Sequence, residues 1–134
     1  MPDPRETLAR IRAQADAATE GPWMTYTVIP QMGSEVLTAP REGEDYGDYV
    51  VPEYIHTDDA EFIAAARADV PRLVDALEEV LEIHQDGGES QGYLDDGSYG
   101  DMPHCCTECG SLGEYGIPYP CPTVTAITQA LATP

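Results

Sequence analysis

Apolar positions along this chain fall into three stretches of helical spacing, separated by extended or aperiodic segments. Leu8, Ile11, Ala15 and Ala18 share one face of residues 5–19, which predicts a helix stopped by Glu20-Gly21-Pro22. Trp23 follows at once and is expected to fold back onto the core. A second, longer pattern covers residues 58–84. Phe62, Ile63 and Ala66 begin its apolar face, and Leu73, Val74, Leu77, Val80, Leu81 and His84 continue it as a stripe that ends on the histidine. Asp58 and Glu61 have capping-box spacing. Pro71 predicts a break or kink, with Asp69 able to cap the segment after it. In the third stretch Pro122 suits the first position of a short helix, with Val124, Ile127 and Leu131 on its buried face.

The intervening segments read differently. Met24–Ile29 is β-branched and aromatic and is stopped by Pro30, and Glu35–Thr38 is a second short candidate strand. Gln31-Met32-Gly33-Ser34 between them can turn a hairpin. Tyr49-Val50-Val51 is a third candidate, closed by Pro52 after an acidic loop at 41–48. A small sheet with an acidic loop is thus expected over 24–55. Residues 86–103 are rich in Gly, Asp, Ser and Tyr without periodicity and are expected to be a flexible loop. The class predicted is α+β, with helices packed on one antiparallel sheet of two or three strands in a single domain over 1–134.

Charge narrows the partners. The chain has 25 acidic residues against six basic ones, all arginine, for a formal net charge of -19. From Leu73 to Pro134 there are 11 Asp and Glu and no Lys or Arg. Phosphate-based nucleic-acid binding and an anionic membrane surface are both excluded, because nothing there can replace counterions. No segment has transmembrane length, and the polar N-terminus lacks an apolar signal core. These features predict a cytoplasmic protein with reduced cysteines.

All four cysteines lie between His104 and Cys121. Clustered cysteines in a reducing compartment read as metal ligands. Cys106 and Cys109 form a CxxC turn, Cys121 supplies a third sulfur, and a fourth ligand must be His84, His104 or Cys105. His84 is preferred, because its place on the apolar stripe of 58–84 points it inward, whereas His104 and Cys105 crowd Cys106. The expected cofactor is a structural zinc, giving residues 104–134 the form of a zinc knuckle followed by a short helix. Other readings stand beside it. Cys105 and Cys106 can be buried apolar thiols, Cys109 and Cys121 can form a disulfide in an exported protein, and Cys105 with His84 can pair as a nucleophile. A redox CxxC lacks its βαβ context. The acidic stretch Glu42–Asp48 lacks the EF-hand pattern and reads as a solvated surface. No phosphate loop, nucleophile elbow or HExxH is present.

Residues Asp59-Ala60-Glu61-Phe62-Ile63-Ala64-Ala65-Ala66-Arg67, with Val70-Pro71-Arg72-Leu73-Val74, resemble the ead-like family of small phage and prophage accessory proteins. Ala18-Thr19-Glu20-Gly21-Pro22-Trp23 is similar to that family's N-terminal signature. Cys106-x-x-Cys109 followed by Tyr119-Pro120-Cys121-Pro122-Thr123 is similar to a tail of actinobacterial and actinophage proteins, where it follows a helix ending in Leu-His, here Ile83-His84. The doubled Cys105-Cys106 departs from that tail. The resemblance implies a phage or prophage source and a fold more than a function, since the family has no established enzymatic activity.

Three functions follow as expectations. One is a zinc-stabilised accessory protein that binds a host protein through its tyrosine-rich acidic surface around Tyr93, Tyr99, Tyr115 and Tyr119. A second is an acidic DNA mimic that occupies a basic site on a host nucleic-acid-binding or defence protein. The third is a nucleotide-sequestering protein or small metal-dependent enzyme, with phosphates held by Arg5, Arg10, Arg12, Arg67 or Arg72.

Overall fold

A computed structural model of the chain describes residues 3–111 and 115–132. It has three α-helices and two small sheets, of three and four strands, so the class is α+β. The chain divides into two compact units, Arg10–Val74 and the combination of Met1–Ala9 with Asp75–Pro134.

Helix α1 is Pro4–Ala17. Asp3 precedes it, accepting Glu6 N–H on its carbonyl and Arg5 N–H on its carboxylate, and Pro4 takes the first helical position, where no amide partner is needed. Helix α2, Thr57–Ile83, is continuous through Pro71. It begins two residues earlier than a helix capped by Asp58 would. The first helical bond runs from Ala60 N–H to the His56 carbonyl, so His56 is the cap position and Asp58 and Asp59 sit in the first turn, where the helix dipole favours them. The apolar face is also narrower than the sequence pattern. Ala60, Val74 and Leu81 are buried, at spacings of whole heptads, while Phe62 is 75% exposed and Leu73 63%. Phe62 and Leu73 are eleven residues apart and align with each other on the side opposite Ala60. Helix α3 is Pro122–Ala132, with Val124 and Thr128 buried.

In the unit Arg10–Val74, strands β1 (Trp23–Tyr26), β2 (Ser34–Thr38) and β3 (Tyr49–Ile55) form an antiparallel sheet in that order. A 3₁₀ turn at Pro30–Met32 joins the first two. Central β2 is buried from Ser34 to Leu37 without alternation, so side chains on both of its faces are covered. Pro52 does not close β3. The β2–β3 register shifts between the Val36–Val51 and Ser34–Ile55 pairs, and Pro52 falls in that irregularity on an edge strand, where a missing N–H breaks no ladder. Trp23 is half-buried rather than packed into the core, donating its indole N–H to the Thr19 carbonyl at 3.0 Å under the Arg67 guanidinium, 5.9 Å from the ring centroid.

The second sheet corrects the expectation of a single one. Strands β4 (Ser90–Tyr93), β5 (Tyr99–Met102), β6 (Cys105–Ser111) and β7 (Tyr115–Pro118) are ordered β5-β4-β7-β6. Strands β4 and β7 run parallel, and the other pairs are antiparallel. Residues 86–103, expected as a flexible loop, thus carry a hairpin. Its turn is closed by Leu94 N–H to the Ser98 carbonyl, by Gly97 at φ +81°, and by Asp96 Oδ1 accepting Ser98 N–H. Cross-strand Tyr93 and Tyr99 pack edge to face at 5.4 Å. Gly92 must lack a side chain, since a Cβ there would meet Met102 Sδ at 2.5 Å and the Gly116 carbonyl at 2.6 Å. Of the expected 104–134 segment, residues 112–114 and 133–134 lie outside the described residues.

Burial separates the α2 positions energetically. Leu81→Ala should destabilise the protein by about 2–5 kcal/mol in urea unfolding, and Phe62→Ser should change stability by less than about 0.5 kcal/mol. Equal costs would contradict the assigned face.

Candidate metal centre

Four side chains in the unit Met1–Ala9 with Asp75–Pro134 converge on one point: His84, Cys106, Cys109 and Cys121. Their candidate ligand atoms all lie within 4.8 Å of one another. His84 Nδ1 is 3.4 Å from Cys106 Sγ, 3.5 Å from Cys109 Sγ and 3.6 Å from Cys121 Sγ. All four cysteines of the chain are free thiols, so no disulfide competes. The arrangement can hold a metal ion.

Each ligand is delivered by a separate piece of local structure. His84 is the first residue beyond α2, and its N–H still bonds the Val80 carbonyl at 3.2 Å, so its position is fixed by the last helical turn. Cys106 and Cys109 sit in a bulge of β6. Between the Cys105–Pro118 and Gly110–Gly116 pairs, β6 advances five positions while β7 advances two. The extra length lifts the CxxC out of the ladder. Gly110 resumes the strand at φ +109°, where a Cβ would lie 2.4 Å from the Tyr115 carbonyl. Cys121 is the cap residue of α3, since its carbonyl accepts Thr125 N–H at 2.9 Å.

Thr107, inside the CxxC, ties two of these pieces together. Its hydroxyl donates to the Ile83 carbonyl at 2.6 Å and accepts Gln85 N–H at 2.9 Å, closing the end of α2 on both sides of His84. Thr107 N–H to the Gln85 carbonyl, Gly87 N–H to the Cys105 carbonyl and Cys105 N–H to the Gly88 carbonyl extend this pairing. The CxxC spacing carries no information about Thr107. A β-branched hydroxyl next to a first ligand was the available signal, but it acquires meaning only when the helix end is placed beside it.

The sulfurs differ in charge preference. Burial pushes the Cys109 thiol up to about 12, and the neighbouring Cys121 and Cys106 sulfurs act in the same direction. Burial also raises Cys121, but the Val124 N–H, the Cys106 and Cys109 thiols and the Thr123 N–H outweigh it and hold Cys121 below the ordinary thiol range. Those amides belong to the first turn of α3, whose dipole favours a thiolate. Local structure thus favours the thiolate at Cys121 and disfavours it at Cys109.

The two alternates stay outside. His104 is exposed and pairs through Nδ1 with Asp86 Oδ2 at 2.6 Å. Asp86 is held below the usual carboxylate range by the Gly88 amide, against a smaller desolvation effect, and by His104. Cys105 is buried next to Gly116, where a Cβ would come within 3.0 Å of its sulfur. It is a small apolar filler on the sheet side of the bulge. Of the arginines offered for phosphate binding, Arg5 is engaged with the Leu81 carbonyl at 2.6 Å and Arg67 with Thr19 and Trp23. No helix among the described residues is long and apolar enough to cross a membrane.

Comparison with protein-family models, with curated proteins and with solved structures finds no match in any of the three.

Removing the Thr107 hydroxyl isolates its contribution. Thr107→Val should lower stability to urea by about 1 kcal/mol, the cost of the two hydrogen bonds at a partly solvated helix end, and Thr107→Ser should restore it. A valine variant as stable as the parent would show that Thr107 does not secure the turn.

Proposed function

We propose that His84, Cys106, Cys109 and Cys121 hold one structural zinc ion. On this reading the chain is a non-enzymatic, phage-encoded accessory protein that acts in the host cytoplasm by binding a host protein. The observation that carries the metal reading is the approach of three sulfurs to a single imidazole nitrogen. One nitrogen has one lone pair and cannot bond three thiols, whereas one cation can bond all four atoms. Tetrahedral zinc with bonds of roughly 2.0 Å to nitrogen and 2.3 Å to sulfur separates those ligands by about 3.6 Å, close to the spacing found. Three thiolates select a soft or borderline ion over magnesium or calcium.

Four protein ligands leave no position for water, which favours a structural ion over a catalytic one. The binding role is supported by the resemblance of residues 18–23, 59–67 and 70–74 to phage accessory proteins. A net charge of -19 and exposed tyrosines support it as well. Tyrosine offers contact area at low entropic cost.

Purified protein never exposed to chelator should contain about one zinc per chain. Cys109→Ser should lose it, and His104→Ala and Cys105→Ala should keep it. Because Cys109 is a thiol near neutral pH in the metal-free chain, zinc must expel its proton, so affinity should fall steadily as pH drops. The same zinc-loaded protein, immobilised, should retain a discrete host protein from lysate at both low and high salt. Zinc-free protein, or retention that vanishes entirely with salt, would count against the respective half of the proposal.

A further inference from the structure

The outer face of the four-stranded sheet carries an exposed aromatic cluster that the metal centre does not use. Tyr93 and Tyr99 face each other across β4 and β5, and Tyr115 on β7 lies 6.2 Å from Tyr93 between ring centroids. The three are 61%, 50% and 38% exposed. Glycines at 92, 100 and 116 alternate with them in sequence, so the two faces of the sheet are chemically opposite. Next to the tyrosines along the hairpin, Gln91 donates to Asp101 Oδ1 at 2.8 Å. Gln91 and Asp101 also line a cleft of about 360 Å³ with Glu89, Ser90, Met102 and Pro103. Platform and cleft are therefore continuous through one hydrogen-bonded pair.

We propose that this surface binds a cationic, arginine-bearing segment of a partner protein, its guanidinium seated between Glu89 and Asp101 and its neighbouring groups stacked on Tyr93, Tyr99 and Tyr115. Charge complementarity selects this occupant. The cleft holds two carboxylates and no basic group, and the chain from Leu73 onward contains no Lys or Arg to neutralise them. A nucleic acid or an anionic lipid meets only repulsion there. The ring faces attract a cation independently of the carboxylates, and a guanidinium satisfies both by lying flat on a ring while its edge meets a carboxylate. A purely apolar peptide would leave the Glu89 and Asp101 charges desolvated without compensation. The inference rests on reading the chain as a binding protein and adds the site and the chemistry of its partner.

The test uses full-length, zinc-loaded protein and a fluorescent peptide of alternating arginine and glycine with blocked ends, with a glutamine-for-arginine peptide as control. Asp101→Asn keeps the acceptor for Gln91 and removes one charge. Asp45→Asn removes the same charge from the 41–48 loop in the other unit. Tyr99→Ser removes one platform ring. At moderate salt, Asp101→Asn and Tyr99→Ser should each weaken arginine-peptide binding about fivefold, Asp45→Asn less than twofold, and the glutamine peptide should not bind. Equal losses for Asp101→Asn and Asp45→Asn would mean that only the general field attracts the peptide and would overturn the site. Zinc content and circular dichroism of each variant report folding, and Asp101→Asn decides the matter if Tyr99→Ser is misfolded. Should a host protein be retained equally by the parent and the Asp101→Asn variant, the binding role stands and this site falls. Should none be retained, the binding role falls, and the peptide comparison judges the site alone.

Discussion

The unit formed by Met1–Ala9 and Asp75–Pro134 depends on the convergence of His84, Cys106, Cys109 and Cys121 at a single point. These ligands come from three separate segments, the end of α2, a bulge in β6 and the cap of α3. The buried apolar side chains of this unit are few: Leu8, Leu81, Met102, Val124 and three of the four cysteines. A buried aliphatic side chain contributes roughly 1.5–3 kcal/mol, whereas a structural zinc contributes about 10–16 kcal/mol of apparent binding energy in small zinc-dependent peptides. An ion at this point would outweigh any single core contact in the unit. Its absence would leave three thiols and an imidazole gathered with no common partner.

The rest of the local architecture follows from holding those ligands. The β6 bulge aims two sulfurs away from the ladder, and Gly110 returns the chain to it. Thr107 fastens the bulge to the helix end, so the histidine and the CxxC move as one piece. The first-turn amides of α3 favour charge on Cys121. Arg5 bonds the Leu81 carbonyl and ties the start of α1 to the last turns of α2. The exposed tyrosines and the Glu89–Asp101 cleft take no part in that ligand cluster.

The helices were legible because their apolar residues repeat at helical spacing, and α2 remained legible despite Pro71. Its buried side was less so. Phe62, Leu73 and Ile83 put apolar residues all round the helix, and only packing shows that Ala60, Val74 and Leu81 face inward. The second sheet was hidden because its strands are short and built from Gly, Ser, Asp and Tyr, with no aliphatic alternation. The Tyr93–Tyr99 pair and the Asp96 turn hold the hairpin together, and both become visible only once the strands are paired. The grouping of His84 with Cys106, Cys109 and Cys121 was readable from residue type and spacing. Thr107 and Gly110 were not, because their roles are geometric: one meets a helix end distant in sequence, and the other is required by a carbonyl on the neighbouring strand.

X-ray absorption at the zinc edge of the purified protein tests the central claim most directly. Zinc held by these four residues should show a four-coordinate shell of three sulfurs at about 2.3 Å and one imidazole nitrogen at about 2.0 Å. A shell of oxygen and nitrogen alone, or two sulfurs with bound water, would contradict it.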